Sequence, residues 1–367
     1  MKKTLIASIT ATTLSSVAFP SLAAIELTDN LSLSGFGSTS WATTDNKTPV
    51  LVNRFIDDEN CYDCDTTLGV QLDFYYDAFK ASAQVVKRPQ DHWSDPQLEW
   101  AYLAYTYGNI EFRGGRLRMP VFLASEYYYV GHAFTPARPP NEVYDSILGI
   151  TAFNGISFLW NYDINDSMTL ATTPFVGFHD ESTVDFNDST ELTFKTNEMY
   201  GINFILSGDY YRWNFTYLDS NYDQETKLTN FPVQAPDGSI IILPSYTDKL
   251  KNESIKLYSL GAEYEFDAFT LTVEGQTNDI ASAWYAQGAY NLNKFTPYVT
   301  YGQQFDDHEH KVGDSYLLGV RYDLHYNVSL NAEWQHFKAY RNASGAFVDT
   351  PEDDNANMYT IMVNFVF

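Results

Sequence analysis

Apolar and polar residues alternate along much of this chain with a period of two. At the C-terminal end Tyr359, Ile361, Val363, Phe365 and Phe367 fall on one face of an extended segment, with Thr360, Met362 and Asn364 on the other. That spacing is the signature of a β-strand. It recurs at Leu68, Val70, Leu72, Phe74 and Tyr76, at Tyr211, Trp213, Phe215 and Tyr217, and at Tyr316, Leu318, Val320, Tyr322 and Leu324. Extended over the whole chain, the pattern predicts strands at 27–43, 66–76, 79–87, 98–107, 110–118, 147–161, 167–178, 198–207, 210–217, 255–266, 269–276, 282–291, 294–303, 315–325, 328–338 and 357–367. Tight connections such as Asp77-Ala78, Gly108-Asn109, Gly208-Asp209 and Asp267-Ala268 interleave with long ones at 44–65, 119–146, 218–254 and 339–356. Short turns at one end and long loops at the other are expected of a transmembrane antiparallel β-barrel.

The polar second face leaves two all-β architectures. A soluble sandwich buries its apolar faces against each other and wets its polar ones. A membrane barrel turns its apolar faces to lipid and its polar faces to a lumen, and it must close because hydrocarbon leaves no partner for an open edge. The aromatic residues at strand ends and the alternating loop lengths favour the barrel, with sixteen strands.

Residues 1–24 read as a secretory signal peptide, with Lys2 and Lys3 ahead of a short, weakly apolar stretch and small residues at Ser21-Leu22-Ala23 or Leu22-Ala23-Ala24. An N-terminal anchor helix is the other reading, but it needs roughly 20 apolar residues. The barrel domain is then 25–367. Of 22 basic and 47 acidic residues in the 367, the segment removes Lys2 and Lys3, which takes the net charge from -25 to -27. So acidic a chain repels phosphate, so nucleic acid is not expected as a partner. Two cysteines exclude a disulfide scaffold.

These features together resemble the Gram-negative porins over essentially the whole mature chain. The terminal Phe367, preceded by Phe365, Val363, Ile361 and Tyr359, is similar to the signal that the family's barrel assembly machinery reads. The run from Ala101-Tyr102-Leu103 through Gly108-Asn109-Ile110 to Arg113-Gly114-Gly115-Arg116 resembles the strand, turn and strand that precede the porin constriction loop. The resemblance implies an outer-membrane location, export through the periplasm, a homotrimer, a third external loop folded into the pore, and passive diffusion of small hydrophilic solutes without catalysis. The loop departs from the family: 119–146 lacks the acidic motif of general porins and carries Tyr127-Tyr128-Tyr129 and Ala137-Arg138-Pro139-Pro140. Solute choice is therefore not transferred, and a channel selective for a sugar or small organic acid, or a surface adhesin or receptor barrel, stay as alternatives. An outer-membrane hydrolase is the remote one, since the seven His residues suggest no triad by spacing.

The candidate pore chemistry lies around that loop. Lys80, Lys87, Arg88, Arg113, Arg116, Arg118 and Arg138 concentrate basic charge in one stretch, after which no cation follows until Lys195. In a regular strand Arg113 and Arg116 point to opposite faces. A bulge at Gly114-Gly115 is expected to turn Arg113, Arg116 and Arg118 all inward, because lipid-facing arginine is costly. Opposite them Glu126, Glu142 and Asp145 would complete a transverse field; ordinary salt bridges pinning the loop to the wall are the other reading of the same groups. Tyr127, Tyr128 and Tyr129 either stack solutes or pack the loop on the wall. Cys61 and Cys64 suit a small disulfide ring, with a metal clip among Asp57, Asp58, Glu59, Asp63 and Asp65 as the other reading. His308-Glu309-His310 reads as a solvated loop ahead of a divalent-metal site, so neither cofactor nor resident metal is expected. The acidic runs Asp57-Asp58-Glu59, Asp180-Glu181, Asp306-Asp307 and Glu352-Asp353-Asp354 fall on external loops, where Ca or Mg ions are expected to bridge them to anionic lipopolysaccharide.

Overall fold

The computed structural model describes residues 24–367 except 53, 90–95, 149, 188–189 and 235–238. The proposed signal peptide lies outside the described residues, apart from Ala24. Sixteen antiparallel strands close into one barrel. They are β1 Leu31–Thr44, β2 Thr67–Tyr76, β3 Phe79–Lys87, β4 Gln97–Tyr107, β5 Ile110–Arg118, β6 Ala152–Asn165, β7 Met168–Gly177 and β8 Thr190–Gly208. The second half comprises β9 Tyr211–Leu228, β10 Tyr246–Phe266, β11 Phe269–Asn278, β12 Ala281–Tyr290, β13 Phe295–Asp306, β14 Lys311–His325, β15 Val328–Ala339 and β16 Asn355–Val366. Each strand pairs with its sequence neighbour, and β16 closes the barrel on β1 from Phe36↔Val366 to Thr44↔Met358.

The alternation decides which side is out. Leu68, Val70, Leu72 and Phe74 of β2 are exposed on the outer wall, as are Tyr359, Ile361 and Val363 of β16. Polar residues on the inner parity, among them Asn203, Asn214, Glu274, Asn331 and Asn364, are buried. Apolar outside and polar inside is the reverse of a soluble sandwich, so that alternative is excluded. Tyr76, Phe79, Tyr107, Tyr162, Phe266 and Tyr290 form an exposed aromatic ring at the short-turn end, and Tyr200, Tyr258, Tyr316 and Tyr359 lie on the outer wall toward the loop end. Such girdles sit where a bilayer meets water. Asp77, Gly108, Asp267 and Asn293 hold positive φ at the tight turns, the conformation that Gly, Asn and Asp adopt at least cost.

Four strands differ clearly from their expected bounds. Strands β8, β9 and β10 run 19, 18 and 21 residues, well past the predicted 198–207, 210–217 and 255–266. A further strand, Asp180–Asn187, pairs with the extension of β8, and a separate hairpin, Phe231–Gln234 with Ile240–Leu243, lies between β9 and β10 in the chain, so much of the expected loop 218–254 is sheet. Residues 246–254 are exposed at every position, so no apolar face marks them as strand. Strand β6 begins at Ala152 instead of 147, because 145–147 is a helical turn of the preceding loop.

Candidate functional site

The connection from Met119 to Thr151 enters the lumen. Pro120, Pro136, Pro139 and Pro140 keep it out of the sheet ladder, and it folds into one-turn helices at Ser125–Tyr127, Gly131–Ala133, Asn141–Tyr144 (α1) and Asp145–Ile147. The Ser125 hydroxyl accepts the backbone N–H of Val121 and of Phe122 at 3.1 and 2.8 Å, fixing the first turn.

The loop is fastened across the barrel to the wall formed by β9–β16. Glu274 accepts the Leu123 N–H at 2.7 Å, the Tyr144 hydroxyl at 2.9 Å and the Tyr285 hydroxyl at 3.0 Å. Asn214 donates to the Val121 carbonyl and Thr216 to that of Pro120. Glu333 accepts the Ala137 N–H at 2.7 Å and the Tyr298 hydroxyl at 2.8 Å. Asn331 donates to the Thr135 carbonyl, and Arg321 to the carbonyls of His132 and Phe134. Beneath these bonds lies an apolar cluster in which Phe122, Tyr128, Tyr129, Val143 and Tyr144 meet Leu117, Phe175, Leu257 and Tyr285 of the wall. Several buried carbonyls and amides of the loop thus find wall partners, as buried backbone must.

The expected charges do not share one environment. Arg113 lies on the inner wall beside Glu111, its guanidinium 5.8 Å from the Tyr102 ring, and Lys80 approaches the same ring at 5.7 Å. Glu126 is exposed on the loop and within electrostatic reach of Arg113. Arg212, 3.5 Å from Glu263, donates to the Tyr127 hydroxyl at 3.1 Å. Of the expected wall and loop charges, Arg113 and Glu126 lie within electrostatic reach of each other.

Arg116 does not join them. The ladder of β5 continues unshifted on both sides, from Ala104↔Arg113 to Ala101↔Arg116 and from Arg113↔Ser157 to Arg116↔Asn154, so no residue is inserted and the expected bulge is absent. Gly115 absorbs the local twist instead, with φ at +136° and no room for a Cβ, which would meet the Ala101 carbonyl at 2.3 Å. Arg116 stays on the face opposite Arg113. There it donates to Asp180 at 3.0 and 3.1 Å and to the Leu98 carbonyl at 2.8 Å, while Asn154 donates to Asp180. Arg118 is inside but occupied, 2.9 Å from Glu99 and stacked on Trp100 and Tyr129 at 5.0 and 5.4 Å.

Glu142 and Asp145 also depart from expectation: Glu142 faces the far wall, and the cations nearest Asp145 are Arg54 and Arg138, not the arginines of β5. Glu142 is buried against Gly302 and Ser315. Burial pushes its carboxyl up to about 7, against the hydrogen bond from Ser315 and with help from Asp145 and Asp314. Burial likewise lifts Asp145 to about 6, although Arg54 and Arg138 pull it down. Arg138 is buried between Asp65, at 2.7 Å, and Glu333, at 3.7 Å. Tyr128 and Tyr129 are packing residues, both buried, while Tyr127 is half-buried. Cys61 and Cys64 are bonded as a disulfide. Asp306, Asp307 and His308 gather at the loop end of β13. The anchoring residues Glu274, Glu333, Asn214 and Asn331 were not foreseen; their signal was only that of polar side chains on the inner parity.

A sixteen-stranded barrel whose fifth strand leads into a loop folded inside the lumen is the architecture of outer-membrane porins, and this chain has that fold. No family model matches the sequence, and no curated protein matches it. Among solved structures it is similar to the anion-selective porin from Comamonas acidovorans, at 11% identity and a TM-score of 0.60 over 92% of this chain and 99% of that one. It is also similar to OmpF of Salmonella typhi in complex with daunomycin, at 10% identity and 0.60 over 94% and 100%. OmpT, an outer membrane protein of Vibrio cholerae, matches at 13% and 0.56 over 94% and 99%, and has a trimer form among the matches. At these identities the likeness is one of fold.

Proposed function

We propose that the protein is an outer-membrane porin through which small hydrophilic solutes and ions diffuse passively, without catalysis. The observation that carries this reading is the lumen: polar side chains line it, and Arg113 on the inner wall lies within electrostatic reach of Glu126 on the inserted loop. Opposed charges across a narrow passage sort ions by sign and orient dipolar solutes. Buried Tyr128 and Tyr129 are not offered to a solute, which weighs against a stacking track at those two positions. Purified protein in planar bilayers should give discrete conductance steps and a defined reversal potential in a salt gradient. An absence of steps at any voltage would sink the proposal.

The assembly is proposed to be a homotrimer. On the outer wall Ala81, Ala83, Ala101 and Gly114 floor an apolar groove of about 470 Å³, rimmed by Leu72, Phe74 and Leu103. Small residues let a neighbouring wall approach closely in lipid. Cross-linking in mild detergent should trap three chains, and monomer alone would count against it. A second reading, surface contact with an outside partner, is favoured by the extended sheet, whose edge at 246–254 is fully exposed.

A further inference from the structure

The loop after β1, residues 45–66, and the loop after β15, residues 340–354, close over one side of the barrel's loop end. Val50 bridges both Ile56 and Phe347, Leu51 N–H donates to the Ala346 carbonyl at 2.8 Å, and Val348 N–H to that of Pro49 at 2.9 Å. Val50, Ile56 and Phe347 are buried on the inward-facing Phe337, Ala356 and Met358. Directly below this lid lies Asp65, itself only 3% exposed. One of its oxygens accepts Arg54 Nε at 3.0 Å and Arg138 Nε at 3.2 Å; the other accepts the second Arg138 nitrogen at 2.7 Å and Ser40 Oγ at 2.8 Å.

We infer that Asp65 is a positioning residue for the constriction: it clamps the lumen loop, through Arg138, to the lid and to β1. The inference rests on the channel reading. Asp65 is itself held in place. The disulfide closes just before it, and Cys61 exchanges two backbone hydrogen bonds with Ala42 of β1, each 2.9 Å. Arg138 gives the clamp purchase on the loop. Its predecessor Ala137 is hydrogen-bonded to Glu333, and Pro139-Pro140 stiffen the link to α1, whose last residue, Tyr144, stands on Glu274. A bidentate guanidinium–carboxylate pair fixes orientation as well as distance, which a lysine or a single hydrogen bond would not. The pairing also explains why two arginines are tolerated so deep: Asp65 serves both, and burial that would raise its carboxyl is overcome by Arg138 and Arg54, which hold it down at about 2.

The test uses the full-length protein in bilayers, with a nitroxide label at Ser146→Cys, just past α1, as a second readout. Asp65→Ala, or Arg138→Met, which leaves Asp65 with Arg54 and Glu333 with its Ala137 and Tyr298 donors, should replace the single conductance level by flicker among sublevels. Either change should also sharpen the label's spectrum. Asp65→Glu should restore the single level, and Asp65→Ala combined with Arg138→Met should be no worse than either alone. A retained single level and an unchanged label spectrum in both variants would overturn the clamp. Wild-type protein that conducts nothing would defeat the channel reading, while the label still reports whether Asp65 positions the loop.

Discussion

The hydroxyl of Tyr144, on the inserted loop, donates to Glu274 on β11 at 2.9 Å, 130 residues further along the chain. Glu274 is fully buried and serves the Leu123 N–H and the Tyr285 hydroxyl as well. Glu274→Ala strands three donors at once, at about 1–3 kcal/mol for each buried group left unsatisfied. The loop is expected to leave the wall, raising single-channel conductance, while the hydrogen-bonded barrel keeps its β-sheet circular dichroism. Glu274→Gln retains an acceptor for Leu123 and an amide that both tyrosine hydroxyls can accept from, so its effect should be smaller than that of Glu274→Ala. Unchanged conductance in Glu274→Ala would show that the loop is held from elsewhere.

The barrel was legible in the sequence because lipid-facing and lumen-facing residues alternate with a fixed period, as Tyr359 to Phe367 display. Where both faces meet water, as at 246–254, the period vanishes and the strand with it. The inserted loop was legible as an insertion but not as a packed unit. Its partners Glu274 and Glu333 lie 151 and 196 residues beyond the Leu123 and Ala137 amides they bind, and nothing local marks them. An outward arginine carries a cost at Arg116. It is met by a counter-ion, Asp180, 64 residues away, and not by a change of strand register.

The closing seam gives a further prediction. Gly35 and Phe367 exchange two backbone hydrogen bonds of 2.8 Å, and the Phe367 ring lies where a Cβ on Gly35 would sit, 2.3 Å from its Cζ. Terminal aromatic and bare backbone are one unit, the ring covering a glycine on the neighbouring strand. Gly35→Val and Phe367→Ala should each lower the yield of folded barrel in refolding from urea into detergent, read as the heat-modifiable band on gels. If Phe367→Ala refolds normally and fails only in cells, the residue acts through the assembly machinery alone.

Acid should tighten the inserted loop. The carboxyls of Glu142 and Asp145 sit at about 7 and about 6 when the loop is docked, above their ordinary values. Groups raised in this way favour docking fully below their ordinary range, and that contribution is lost as pH rises through the raised values. For Glu142 the swing is on the order of 3 kcal/mol. Asp65 acts in the opposite sense, since its carboxyl is held down at about 2, but its contribution is lost only in strong acid. Between pH 5 and 8 current noise should therefore rise, and Glu142→Gln should flatten that dependence. Noise that is constant with pH in the wild type would place these carboxyls outside the gating equilibrium.

Selectivity should follow Arg113 and ignore Arg116. The net charge of -25 suggests a cation channel, but 0.15 M salt screens exposed charges beyond about 8 Å. Charges in a narrow passage are screened less and outweigh many outside it. Arg113 lies on the inner wall within electrostatic reach of Glu126, while Arg116 is paired with Asp180 on the opposite face. Arg113→Gln should shift the reversal potential toward cations at both high and low salt, and Glu126→Gln should shift it toward anions. Arg116→Gln should leave it unchanged and instead weaken the barrel, because the partly buried carboxylate of Asp180 loses its cation. A shift with Arg116→Gln equal to that with Arg113→Gln would mean that the β5 ladder carries the inserted residue after all.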